Sequence, residues 1–126
     1  MRKTIFLVDD NATNLTMAEE TLSQHYRVIA LSSAAAMFKA LNKFRPDLIL
    51  LDIEMPEMNG FDAMEQLKAN NAYADVPVMF LSGRTETECE ARAIEMGAVD
   101  FIMKPFLGPE LLDRVKNRMD SPPISA

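Results

Sequence analysis

Five side chains able to do chemistry each follow a short apolar run. Ile5, Phe6, Leu7 and Val8 lead into Asp9 and Asp10, Leu48 to Leu51 lead into Asp52, Val78 to Leu81 into Ser82, and Phe101 to Met103 into Lys104. Three carboxylates gathered at one place repel one another and favour a cation or a proton. An all-oxygen set of carboxylates, backbone carbonyl and water suits Mg²⁺ or Mn²⁺. No His or Cys cluster competes for a softer metal, and the lone His25, before the second apolar run, reads as solvent-facing. A divalent ion beside an aspartate, with a lysine and a hydroxyl nearby, is equipped for phosphoryl transfer. The cations offset charge on the phosphoryl oxygens while the aspartate attacks as nucleophile. Taken singly, each residue has a plainer role: Asp9, Asp10 or Ser82 as a helix cap, Lys104 as a surface lysine. Capping explains their joint occurrence poorly.

The elements that position these groups are legible from periodicity. Strands are expected at residues 4–10, 27–31, 47–52, 76–82 and 99–104, each a short apolar run. Between them lie amphipathic segments. Leu15, Ala18 and Leu22 share a helical face, as do Met37, Ala40, Leu41 and Phe44 in a helix capped by Ser32 or Ser33, and Phe61, Met64 and Leu67 in the next. A fourth helix over 86–97 is closed by Gly97, and a fifth opens at Gly108-Pro109 and runs to about Met119. Five successive βα units with continuously apolar central strands predict an α/β domain, a doubly wound parallel sheet covered on both faces. Right-handed crossovers leave few topologies, and ligands of such sheets bind beyond the strands' carboxyl ends. If the first and third strands are neighbours, about 4.8 Å apart, Asp10 and Asp52 can share one ion, and Lys104 reaches across about 10 Å toward a ligand on Asp52.

The chain has 126 residues, 48% hydrophobic and 25% charged, the size of one compact domain. Its 19 acids exceed 13 Lys and Arg, so the net charge is −6, which argues against direct nucleic-acid binding through a basic face. No apolar run approaches the ~20 residues needed to cross a bilayer, and the single Cys89 fits a reducing compartment. A cytoplasmic protein with no membrane contact is expected. The ten methionines read as core fillers. Residues 1–119 form the expected domain, with 120–126 a Pro-rich tail or the start of a linker.

The motifs "FLVDDN" (6–11), "ILLDIEMPEMNG" (49–60), "MFLSGR" (79–84) and "GAVDFIMKPF" (97–106), in this order and spacing, resemble the receiver domain of bacterial two-component response regulators. The resemblance covers about residues 3–119. It implies a flavodoxin-like three-layer sandwich with strand order 2-1-3-4-5. It also implies a phosphorylation-dependent signalling switch, not an enzyme with a separate substrate: the chain would catalyse only its own phosphotransfer and dephosphorylation. Asp52 then resembles the phospho-acceptor. Asp9 and Asp10, with Asp52 and the backbone carbonyl of Glu54, resemble the Mg²⁺ ligands. Lys104 resembles the lysine that contacts the phosphoryl group, with a cis peptide to Pro105. Ser82 resembles the switch hydroxyl and Phe101 the switch aromatic, which turns inward; many members carry Tyr there, so this chain offers a partner no hydroxyl at that position. Pro56 and Gly60 shape the loop presenting the Glu54 carbonyl. Glu54 and Arg84, two residues past the acceptor and two past the switch residue, are expected to pair across the site and tune the phosphorylated lifetime.

The partners implied are a histidine kinase or phosphotransfer protein as donor, and an output domain, protein target or second copy in a homodimer meeting the surface of the fourth helix, fifth strand and fifth helix. Two other readings differ in class. A pseudo-receiver acting as a pure interaction module would lack the acceptor or the lysine, and both are present. A metal-dependent phosphatase with an aspartyl nucleophile usually shows Asp-x-Asp, where this chain has Asp52 and Glu54. A flavin-binding module of the same fold is disfavoured by the lack of a hydroxyl-rich loop after the first strand.

Overall fold

The computed structural model describes residues 2–83 and 87–119, without the side chains of 87 and 88. The expected tail, 120–126, and Arg84 lie outside the described residues. The order is β1 (Thr4–Val8), α1 (Ala12–Leu22), β2 (Arg27–Leu31), α2 (Ala34–Leu41), β3 (Leu48–Asp52), α3 (Gly60–Ala69), β4 (Val78–Ser82), α4 (Thr87–Glu95), β5 (Asp100–Met103) and α5 (Gly108–Met119). The five strands form one parallel sheet in the order β2-β1-β3-β4-β5, as expected.

Ile5–Val8, Leu48–Leu51 and Val78–Leu81 are buried on both sheet faces, which is why these strands carry apolar residues without alternation. Phe6, Val8, Ile49, Leu51, Val78, Phe80 and Phe101 face a core closed by α2, α3 and α4. Ile5, Leu7, Leu48, Leu50, Met79, Leu81 and Ile102 face the opposite core, closed by α1 and α5 through Ala18, Leu22, Leu111, Val115 and Met119. Met37, Met64, Met79 and Met119 fill core space as expected, whereas Met17 and Met103 are exposed.

Two boundaries differ instructively from periodicity. The helical face expected to reach Phe44 stops at Leu41; Lys43 and Phe44 both donate their N–H to the Ala40 carbonyl, a turn that ends the helix while Phe44 still packs on the core. Neither Asp9 nor Asp10 caps α1. The Asn11 side chain accepts the Asn14 N–H at 3.0 Å, leaving both acids for other work. Ser33 caps α2, and Gly97, at φ +95°, closes α4 in the left-handed conformation that glycine adopts without strain.

Candidate functional site

The register brings the chemically competent side chains to one edge. Val8 pairs with Leu51, Asp52 with Leu81 and Ser82 with Met103, so the carboxyl ends of β1, β3, β4 and β5 lie side by side. Asp9, Asp10 and Asp52 each offer a carboxylate oxygen within 4.8 Å of the others. Asp9 and Asp52 are 1% and 2% exposed, while Asp10 faces solvent at the rim.

Each buried acid is held rigidly. One Asp9 oxygen accepts the Asn11 N–H at 2.9 Å, and the other accepts from Lys104 Nζ at 2.7 Å. Lys104 Nζ also donates to Asp52 Oδ1 at 3.1 Å. Its own N–H bonds the Ser82 carbonyl at 2.7 Å, fixing the lysine to the end of β4, and the Lys104–Pro105 peptide is cis. One ammonium therefore serves two carboxylates. Burial pushes the Asp52 carboxyl up to about 7; the charge of Asp9 adds to this, Lys104 pulls it back in part, and Glu54 raises it further. For Lys104 burial acts downward, but the bond to Asp9 and the charges of Asp52 and Asp9 prevail and hold its pKa above the ordinary value.

The loop after β3 carries the remaining groups. Ile53 extends the ladder by bonding the Leu81 carbonyl at 3.0 Å, and the Ile53 carbonyl accepts the N–H groups of Met55 and Gly60. Glu57 sits at φ +70° with Met58 N–H bonded to the Pro56 carbonyl, a tight γ-turn of uncommon hand for a non-glycine residue. Gly60 is required by contact: a β-carbon there would lie 2.5 Å from the Asp52 carbonyl oxygen and 2.8 Å from Ile53 Cα. The start of α3 thus presses directly on the end of β3, and Asn59 caps it by accepting the Asp62 N–H.

Ser82 is wholly buried, and its hydroxyl donates to Glu54 Oε1 at 2.6 Å. The sequence points to Glu54 as a metal ligand through its carbonyl and as a partner of Arg84, and does not point to this bond. Adjacency of β3 and β4 was its available signal, since a residue two past Asp52 must pass the end of β4. Because Arg84 lies outside the described residues, its expected pairing with Glu54 is not placed. Phe101 is buried in the core beneath α2, α3 and α4. Arg114 of α5 braces that strand, bonding Asp100 Oδ1 at 2.7 Å and the Phe101 carbonyl at 3.3 Å, a contact the sequence did not suggest.

The donor set fits a hard divalent cation: three carboxylates converge, one is solvent-facing for entry, and the like charge that opposes Asp52 ionisation would be relieved by a bound ion. Among the described residues no helix is long and apolar enough to cross a membrane.

Comparison with known proteins places this geometry. The chain is 38% identical over 118 residues to a protein of Vibrio cholerae named as a probable cyclic di-GMP phosphodiesterase, covering 94% of this chain and 27% of that one. It is 36% identical over 120 residues to the DNA-binding response regulator MtrA of Mycolicibacterium paratuberculosis, covering 94% and 52%. The chain thus spans about half or less of these curated relatives. The structure of chemotaxis protein CheY4 of Vibrio cholerae superimposes with a TM-score of 0.87 at 25% identity, covering 93% of this chain and 98% of that one. Residues 5–116 match the response regulator receiver domain. With its parallel five-stranded sheet and acidic edge, the chain belongs to the receiver-domain family of two-component response regulators.

Proposed function

We propose that Asp52 is the residue through which this receiver domain is switched. A carboxylate Oδ attacks the phosphorus of a phosphoryl donor, the bond from phosphorus to the donor's nitrogen or oxygen breaks, and the leaving group keeps its electron pair. The donor is a phosphohistidine of a histidine kinase or phosphotransfer protein, or a small acyl phosphate. The observation that carries this reading is the shared ammonium of Lys104, already within 3.1 Å of Asp52 and so next to the oxygens on which charge develops. Asp9, Asp10, Asp52 and the Glu54 carbonyl would hold Mg²⁺, or Mn²⁺ in its place. Bound there, the cation offsets phosphoryl charge and favours the ionised, nucleophilic form of Asp52.

The protein acts on no separate substrate; its covalent chemistry is confined to its own phosphorylation and dephosphorylation. Ser82 then moves toward the phosphoryl group, and packing around Phe101 changes with it, shifting a two-state equilibrium. The output passes through α4, β5 and α5 to an output domain, a protein target or a second copy. Ile94 of α4 and Met103 of β5, 60% and 47% exposed, supply apolar surface for that contact. We place the unit in the cytoplasm, with residues 1–119 as the receiver domain and 120–126 as a tail or linker.

Incubation with acetyl phosphate and Mg²⁺, borohydride trapping and peptide mapping test the assignment. Label on Asp52 is expected. Label on Asp9 or Asp10 instead would refute it.

A further inference from the structure

The hydrogen bond from Ser82 to Glu54 has a consequence for the switch, resting on the reading of Asp52 as phospho-acceptor. We propose that the Glu54 carboxylate is a latch that holds the Ser82 hydroxyl in the unphosphorylated state. Ser82 is wholly buried and donates its single hydroxyl proton to Glu54 Oε1 at 2.6 Å, a short bond to a charged acceptor. A hydroxyl has one proton to give. To donate to an oxygen on Asp52-bound phosphate, Ser82 must withdraw it from Glu54.

The geometry makes the competition unavoidable. Asp52 and Ser82 end neighbouring strands, with Asp52 paired to Leu81. Glu54 stands two residues beyond Asp52, in the loop pinned by the bonds Ile53 to Leu81 and Gly60 to Ile53. These backbone bonds keep the Glu54 main chain beside the end of β4, within reach of Ser82. The latch lowers the population of the active arrangement before any phosphoryl group arrives. It also lowers the affinity for a phosphoryl group by the fraction of molecules left unlatched. Glu54 is thus a positioning residue that sets the switching threshold by holding Ser82.

Beryllofluoride, which occupies a phospho-acceptor aspartate without covalent transfer, reads this threshold. Its apparent affinity in saturating Mg²⁺ is measured by following the Ser82 and Gly83 amide signals in ¹⁵N-labelled protein. The measurement is made for wild type, Glu54→Ala, Glu54→Gln, Ser82→Ala and the Glu54→Ala, Ser82→Ala double variant. Loss of a charge-assisted bond predicts at least about ten-fold tighter binding for Glu54→Ala, with Glu54→Gln, which keeps an acceptor oxygen, showing a smaller gain. In the Ser82→Ala background, Glu54→Ala gives only what removal of a negative charge gives, so the two substitutions are coupled. Equal gains for Glu54→Ala and Glu54→Gln, with the Glu54→Ala gain undiminished in the Ser82→Ala background, would mean that charge alone acts and would overturn the latch. A wild type that binds no beryllofluoride, with Mg²⁺ binding verified, would instead overturn Asp52 as the acceptor, and the latch with it.

Discussion

Lys104 Nζ lies 2.7 Å from Asp9 and 3.1 Å from Asp52, so one cation serves two nearly buried carboxylates. Burial, with the charge of Asp9 added, pushes the Asp52 carboxyl up to about 7 in the fold against 3.8 in its ordinary setting. Between those values the native state holds a proton that the unfolded chain has released. The stability this gives is complete below about pH 4 and is lost as pH rises through 7. In the absence of divalent cations, Asp52→Asn should therefore stabilise the protein at pH 8, by on the order of 2–4 kcal/mol. The advantage should fade toward pH 4–5; urea melts at the two pH values check it. Mg²⁺ should narrow the gap at pH 8 by stabilising the protein that keeps Asp52 more than the variant, which retains Asp9 and Asp10 alone of the three carboxylates. Removing the cation instead, in Lys104→Ala, leaves two buried acids unpaired and should cost about 3 kcal/mol at pH 8. The loss should be smaller at pH 5, where Asp52 is protonated. A loss equal at both pH values would show that the lysine acts through packing alone.

The loop from β3 to α3 converts strand position into site geometry. Gly60 approaches so closely that a β-carbon would meet the Asp52 carbonyl oxygen at 2.5 Å. Gly60→Ala should cost about 1–3 kcal/mol in chemical denaturation. It should also slow phosphorylation more than Gly83→Ala, because a β-carbon at Gly83 meets nothing within 4 Å among the described residues. Much of this arrangement was legible beforehand. Strands buried on both faces announce themselves by unbroken apolar runs, and reactive groups just past them mark the carboxyl edge. What escaped was the choice among polar partners. Asn11 rather than Asp9 or Asp10 caps α1, and Ser82 bonds Glu54. Arg92 of α4 stacks over Phe61 of α3 at 4.3 Å, and Phe61 meets Phe80 of β4 edge-on. Such choices depend on distances between elements remote in sequence, and residue type alone offers several equivalent partners.

Seen as a unit, the molecule places its chemistry at one sheet edge, and of its large exposed apolar side chains Ile94 lies on α4, Met103 on β5 and Leu107 between β5 and α5, with Met17 apart from them on α1. Phosphorylation should change hydrogen-exchange rates in α4 and β5 while leaving β2 and α2, at the far side of the sheet, unchanged. A uniform change would contradict a switch localised to that surface. On the proposed function, Asp52 accepts a phosphoryl group with the help of a divalent cation. Intact mass after incubation with acetyl phosphate, with Mg²⁺ and with chelator, for wild type and Asp52→Ala, tests it most directly. The expected result is a gain of one phosphoryl group in wild type with Mg²⁺, absent with chelator and absent in the variant. An unmodified wild type, with fold and Mg²⁺ binding verified, or a variant modified as readily as wild type, would contradict it.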